Sequence, residues 1–225
     1  MLNRKFSQLS TQSRHRKQEV LRELFEIGPE TRILDVGGQV DARGQQILDT
    51  HPWKRNLTVL NLDPQHLRRI EAEYPEVTTV EGDATKLPFA DKSFDLVYSN
   101  AVIEHMPSPQ AQRDMAREIQ RVGKAWFVTT PNRWYPFEFH HRLPFVTWLP
   151  RPLMQGLVRV VSYNHVERGY RFNQRQDRIL LLTARQLRRL FPGSRLVPVQ
   201  ITFMPETLIA AGPLDALKPA PGPSA

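Results

Sequence analysis

Ile33-Leu34-Asp35-Val36-Gly37-Gly38 reads as a short buried strand running into a glycine pair, and the same pattern recurs along the chain. Strand-like apolar runs at 32–36, 57–62, 77–80, 94–99 and 125–129 lead in turn to Gly37-Gly38, Asp63-Pro64, Gly82-Asp83, Asn100 and Thr130-Pro131. Helical spacing falls between several of them, at 45–50, 65–74 and 109–122, where Met115, Ile119 and Val122 share one face. A lead-in helix at 14–27, carrying Val20, Leu21, Leu24, Phe25 and Ile27, is closed by Gly28-Pro29. Repeated strand, crossover and strand units predict an α/β fold, with a parallel sheet covered by helices on both faces. Thr183 caps a last helix to residue 191, and apolar runs at 196–203 and 207–211 predict a hairpin that finishes the sheet.

In open α/β sheets ligands bind at the carboxyl ends of the strands, so the residues there are the candidates. Gly37 and Gly38 let backbone approach a ligand closely, and a tight turn is the competing explanation. Asp63 stands where a carboxylate accepts from both hydroxyls of a ribose, although Asp63-Pro64 is also an ordinary helix N-cap. Gly82-Asp83-Ala84 offers a carboxylate to an exocyclic amine such as that of adenine, with a turn aspartate as the alternative.

Together these residues resemble the class I methyltransferases that use S-adenosylmethionine. Ile33-Leu34-Asp35-Val36-Gly37 is similar to the family's first motif, Asn61-Leu62-Asp63 to its acidic loop, and Gly82-Asp83-Ala84 to its adenine-side motif. The most specific stretch is Leu87-Pro88-Phe89-Ala90-Asp91-Lys92-Ser93-Phe94-Asp95-Leu96-Val97-Tyr98-Ser99-Asn100, followed by Ile103-Glu104-His105. The resemblance covers roughly 31–132 and resumes in the closing helix and hairpin. It implies a Rossmann-like three-layer sandwich with a seven-stranded, mostly parallel sheet and an antiparallel last strand. S-adenosylmethionine is the implied cofactor, held by Asp35, Gly37, Gly38, Asp63, Asp83, Ala84 and Asn100. The family spaces its glycines Asp-x-Gly-x-Gly-x-Gly, whereas Gln39 and Asp41 occupy the second and third glycine positions here. Either Gly38 reshapes the turn, or cofactor binding is weakened or lost.

Methyl transfer from a sulfonium is an in-line displacement that needs alignment rather than a covalent residue. The expected acceptor is a small molecule methylated at oxygen, with His105 as the leading base and Glu104 as its rival. A histidine that merely caps a helix beside the cofactor is the competing role for His105. From 133 to about 180 the strand rhythm breaks, which predicts a cap inserted after the fifth strand. Its opening residues Asn132, Arg133, Trp134, Tyr135 and His140 are candidate substrate contacts, dense in aromatic area and polar tips. His140 and His141 are adjacent and point apart, so no metal is expected. Leu153, Leu157, Val160 and Val161 form an apolar helical face flanked by Trp148, Arg151 and Arg159, which suits a lipid-like substrate or a membrane surface; packing of the cap on the sheet is the alternative.

With 225 residues, 40% hydrophobic and 24% charged, the chain has the composition of a globular domain. The absence of cysteine excludes disulfides, thiolate metal sites and a cysteine nucleophile. Net charge is +8, divided as +4 over 1–25, −4 over 26–132 and +8 over 133–225. A basic last third raises an RNA or protein methyltransferase as the second reading. Ser99-Asn100-Ala101-Val102 lacks the Pro-Pro-aromatic motif of base-amine methylases, and no RNA-binding module is recognisable, so nucleic acid is not the expected partner. A catalytically silent binding module is the third reading. No apolar run of signal-peptide or membrane-spanning length occurs, which makes the cytoplasm the expected compartment. The expected organisation is a basic N-terminal helix (1–30), a methyltransferase domain (31–212) and a disordered proline-rich tail (213–225).

Overall fold

A computed structural model describes residues 2–40, 47–138, 143–164, 169–172 and 179–219. The chain opens with helix α1 (Leu2–Leu24), then β1 (Ile33–Val36), α2 (Ile47–Thr50), β2 (Leu57–Asn61), α3 (Pro64–Glu73), β3 (Thr78–Glu81), β4 (Phe94–Asn100), α4 (Pro109–Val122) and β5 (Gly123–Pro131). The cap follows as β6 (Phe137–Glu138), β7 (Leu143–Pro144), α5 (Arg151–Val160), β8 (Val161–Asn164) and β9 (Gly169–Phe172). Helix α6 (Ala184–Leu190) and the strands β10 (Arg195–Val199) and β11 (Thr207–Gly212) return to the sheet.

Seven strands form one sheet in the order β10-β11-β5-β4-β1-β2-β3. β1, β2, β3, β4 and β5 run parallel, and β11 lies antiparallel between β5 and β10, as the resemblance implied. The order reverses at β1, which has β2 on one side and β4 on the other, so the crevice for a ligand opens at their carboxyl ends.

Strand alternation divides the core between the two faces. On one, Val20, Leu21 and Leu24 of α1 pack with Ile47, Leu48 and Ile70 against Ile33, Val59, Tyr98, Phe127 and Ile209. On the other, Met115 and Ile119 of α4 and Leu187 and Phe191 meet Leu34, Val36, Val97, Val128 and Leu208. Two helix starts follow the chemistry of their caps. Ser108 accepts from the Ala111 amide ahead of Pro109, and Thr183 and Gln186 form a reciprocal capping box.

Four expectations are corrected. α1 begins at Leu2 rather than residue 14, because neither Gly nor Pro interrupts the chain before Gly28. The cap, expected to lack strands, holds the hairpins β6–β7 and β8–β9, too short to leave a period-2 pattern. Val161 belongs to β8, and the remaining stripe Leu153, Leu157 and Val160 is exposed, whereas Met154 is the α5 side chain packed against Val146. Residues 213–219 of the expected tail are tied to the fold: the Lys218 amide donates to the Leu24 carbonyl at 2.8 Å, and the Lys218 ammonium to the Arg22 carbonyl at 2.9 Å, which uses carbonyls left over at the end of α1; residues 220–225 lie outside the described residues.

Candidate active site

The turn after β1 depends on both glycines. Gly37 has φ +80°, and its amide donates to the Leu60 carbonyl at 2.7 Å; a Cβ there would meet Val102 at 2.5 Å. Gly38 sits directly over Asp35, where a Cβ would lie 2.4 Å from the carboxylate. The Gly38 carbonyl accepts from the Asn61 side-chain Nδ2 at 2.8 Å, and the Asn61 Oδ1 in turn accepts from the Asp63 backbone amide at 2.9 Å. Asn61 therefore ties the glycine turn to the acidic loop. Gln39 is exposed, and Asp41 lies outside the described residues. Asp35 is buried on the α1 face of the sheet at 3% exposure; burial, reinforced by Asp49, pushes its carboxyl up to about 7.

Asp63 caps α3, its Oδ1 accepting from the Gln65 amide at 2.8 Å, and Oδ2 lies 3.8 Å from the His66 imidazole. The side chain is still 51% exposed, which leaves lone pairs open to a ligand. Asp83, also exposed, accepts from the Thr85 amide at 2.8 Å, so turn chemistry and an outward carboxylate coexist at both strand ends. Ala84 is half-buried against the apolar cluster of the α4 face.

At the end of β4 the Asn100 Oδ1 accepts from the Thr129 hydroxyl at 2.7 Å and from the Lys17 ammonium at 2.7 Å. The chain then turns through Ala101, with φ +58°, into a 3-10 turn at Ile103–His105. Glu104 faces inward at 0% exposure and accepts from the Thr130 hydroxyl at 3.1 Å. His105 faces outward and is exposed. The two base candidates thus point into opposite environments.

The opening of the cap is tied into the fold by its own hydrogen bonds. Asn132 donates to the Pro205 carbonyl, accepts from the Trp134 amide and is buried. Arg133 donates to the Leu149 carbonyl, and Tyr135 is buried with its hydroxyl 2.9 Å from Thr202. Trp134 is the open one, half exposed, with its carbonyl accepting from the Trp148 indole. His140 lies outside the described residues.

The donor set fits S-adenosylmethionine. A glycine turn, two outward carboxylates and a carboxamide follow one another across the carboxyl ends of β1, β2, β3 and β4, which suits the adenosine of such a cofactor. Residues 34–126 match the family model described as a methyltransferase domain. That match, on a seven-stranded sheet of this order, marks residues 34–126 as a methyltransferase domain. Among curated proteins, the 2-methyl-6-phytyl-1,4-hydroquinone methyltransferase of Arabidopsis thaliana is 35% identical over 103 residues, covering 44% of this chain and 30% of its own length. The Synechocystis enzyme of that name is 29% identical over 133 residues, 58% of this chain and 40% of its own. A malonyl-[acyl-carrier protein] O-methyltransferase of Herminiimonas arsenicoxydans is 29% identical over 109 residues, 48% of this chain and 41% of its own. The chain thus spans less than half the length of these three relatives. A SAM-dependent methyltransferase structure from Methanosarcina mazei shares the fold, with TM-score 0.55 and 13% identity over 82% of this chain and 93% of that one.

The sequence singles out the glycine turn and the strand-end carboxylates but not Lys17 or Thr129, the two residues that meet at the Asn100 Oδ1. For Lys17 a signal was present: with Val20, Leu21 and Leu24 it occupies one helical stripe, so a lysine stands on the buried face of α1.

Proposed function

We propose that the protein is an S-adenosylmethionine-dependent methyltransferase that acts on a small-molecule acceptor, at oxygen, by in-line displacement. The observation that carries this reading is the row of polar groups at four adjacent carboxyl ends: the Gly37-Gly38 turn, Asp63, Asp83 and Asn100. In this reading Asp63 accepts from ribose hydroxyls, Asp83 and Ala84 flank the adenine, and Asn100 borders cofactor and acceptor. Asp35 underlies the turn that meets the amino-acid end. Bound there, S-adenosylmethionine supplies an electrophilic methyl group. The chain's own task is alignment and exclusion of water. Glu104, enclosed and bonded to Thr130, holds the floor between β4 and β5, and a neutral hydroxyl acceptor would yield its proton to the outward His105.

A lipid-like acceptor, reached at an anionic membrane surface, is the finer part of the proposal. Trp134, Phe145, Trp148, Leu153, Leu157 and Val160 leave large apolar side chains exposed on the cap, whose residues 133–180 contain eight arginines against three acidic residues. The name of the Arabidopsis relative carries a phytyl-substituted hydroquinone, which is consistent with such an acceptor.

A thermal shift with S-adenosylmethionine, S-adenosylhomocysteine and NAD in parallel tests the core of the reading. Ligand at ~100 times its Kd adds ~2.7 kcal/mol, so the first two raise Tm by roughly 5–11 °C and NAD does not. No shift with millimolar ligand overturns the reading in favour of a silent binding module.

A further inference from the structure

Lys17 is a buried cation with no carboxylate in direct contact among the described residues. Its side chain leaves α1, is 9% exposed, and ends 2.7 Å from the Asn100 Oδ1. That oxygen also accepts from Thr129, so a neutral amide already bonded elsewhere is the ammonium's partner. Among the described residues no carboxylate lies within ion-pair distance of Lys17, and two of its three N–H groups remain unspent. Burial pushes its pKa down to about 8, helped by Arg14; Glu104 and Glu206 offset part of this from a distance. A buried charge that no carboxylate contacts directly is costly to a fold, and such arrangements concentrate at ligand sites. Asn100 is the last residue of β4 and Thr129 lies near the end of β5, so the ammonium stands at the carboxyl edge of the sheet.

We propose that Lys17 is an anion-binding group that takes one oxygen of a carboxylate or phenolate at the carboxyl ends of β4 and β5. The proposal rests on the methyltransferase reading, which brings two sources of that oxygen: the amino-acid carboxylate of the cofactor and an ionised acceptor. No bond is made or broken at Lys17; it neutralises the ligand's charge while the ligand neutralises its own. α1 is then a wall of the site and not only a lead-in to the sheet.

Calorimetric titration of the full chain, of Lys17→Met and of Lys17→Arg tests this. The probes are S-adenosylhomocysteine, methylthioadenosine, which lacks the carboxylate, and benzoate and 4-nitrophenolate added to protein saturated with S-adenosylhomocysteine. If Lys17 takes the cofactor's carboxylate, Lys17→Met weakens S-adenosylhomocysteine by about 10- to 100-fold and leaves methylthioadenosine unchanged. If it takes the acceptor's oxygen, both adenosine ligands are unchanged and binding of the aromatic anions is lost. In either case Lys17→Arg recovers part of the affinity, which a loss of folding would not permit. Equal affinities of wild type and Lys17→Met for all four probes, or no binding of the aromatic anions together with unchanged S-adenosylhomocysteine, overturn the proposal. Failure of the wild type to bind either adenosine ligand sinks the methyltransferase reading itself and is seen before any variant is made.

Discussion

Asp63 caps a helix and still presents an open carboxylate oxygen. Its Oδ1 caps α3 and its second oxygen stays within reach of solvent, so substitution by alanine confounds two losses. Serine separates them, because its hydroxyl caps a helix about as well but offers no second carboxylate oxygen. Asp63→Ser is expected to keep Tm within about 2 °C of wild type and to weaken S-adenosylmethionine by about 10-fold or more, read by calorimetry. Equal affinity would remove Asp63 from the ribose role. At this scale the sequence was legible where a residue's neighbours are local: the Asp63 cap, the Asp83 turn and the left-handed Gly37 each depend on contacts with adjoining residues or the adjoining strand. Lys17 and Asn100 are 83 residues apart, and nothing in either segment names the other.

Among the elements, the alternating strands and helices up to β5 were legible because a parallel sheet buries both faces and writes short, unmixed apolar runs. The cap was not, since two-residue strands such as β6 and β7 are set by tertiary contacts and leave no period. α5 was legible as an amphipathic helix, yet its outer stripe stays largely exposed: Leu153 is 62% exposed, while Met154 packs inward against Val146. If the stripe meets lipid, the double substitution Leu153→Ser with Leu157→Ser should lower co-sedimentation with phosphatidylglycerol vesicles by about 10-fold or more. Tm should move by less than about 2 °C, since little buried area is lost. Binding of wild type to anionic vesicles should also fall with added salt. Vesicle binding unaffected by the double substitution would reassign the stripe to something other than lipid.

Taken over the whole molecule, the buried Asp35 and Lys17 contribute opposing pH dependences to the stability of the unliganded fold. Asp35 has a folded pKa of about 7 against an ordinary value of 3.8, so between these limits the folded state holds a proton that the unfolded state has lost, and stability falls as pH rises through that window. Above it the full cost of the buried carboxylate, at most about 4 kcal/mol, is present. Glu206, raised by its burial, acts in the same direction, while His51, lowered by burial and by Lys54, opposes it below 6.5. Lys17 has a folded pKa of about 8 against 10.5, so between those limits the unfolded state binds the extra proton and stability rises with pH; below about 8 its cost, at most about 3 kcal/mol, is complete. The two windows leave both costs in force between them. The ligand-free protein is therefore expected to be at its least stable near neutrality with respect to these two groups. Differences between variants and wild type isolate the effect from the rest of the titrating surface. Asp35→Asn should gain Tm over wild type by a margin that widens from about pH 5 to pH 8, up to about 10 °C. Lys17→Met should gain most near pH 7 and lose that advantage by about pH 10. Margins that do not change with pH would mean that neither group carries an unrelieved charge in the folded state.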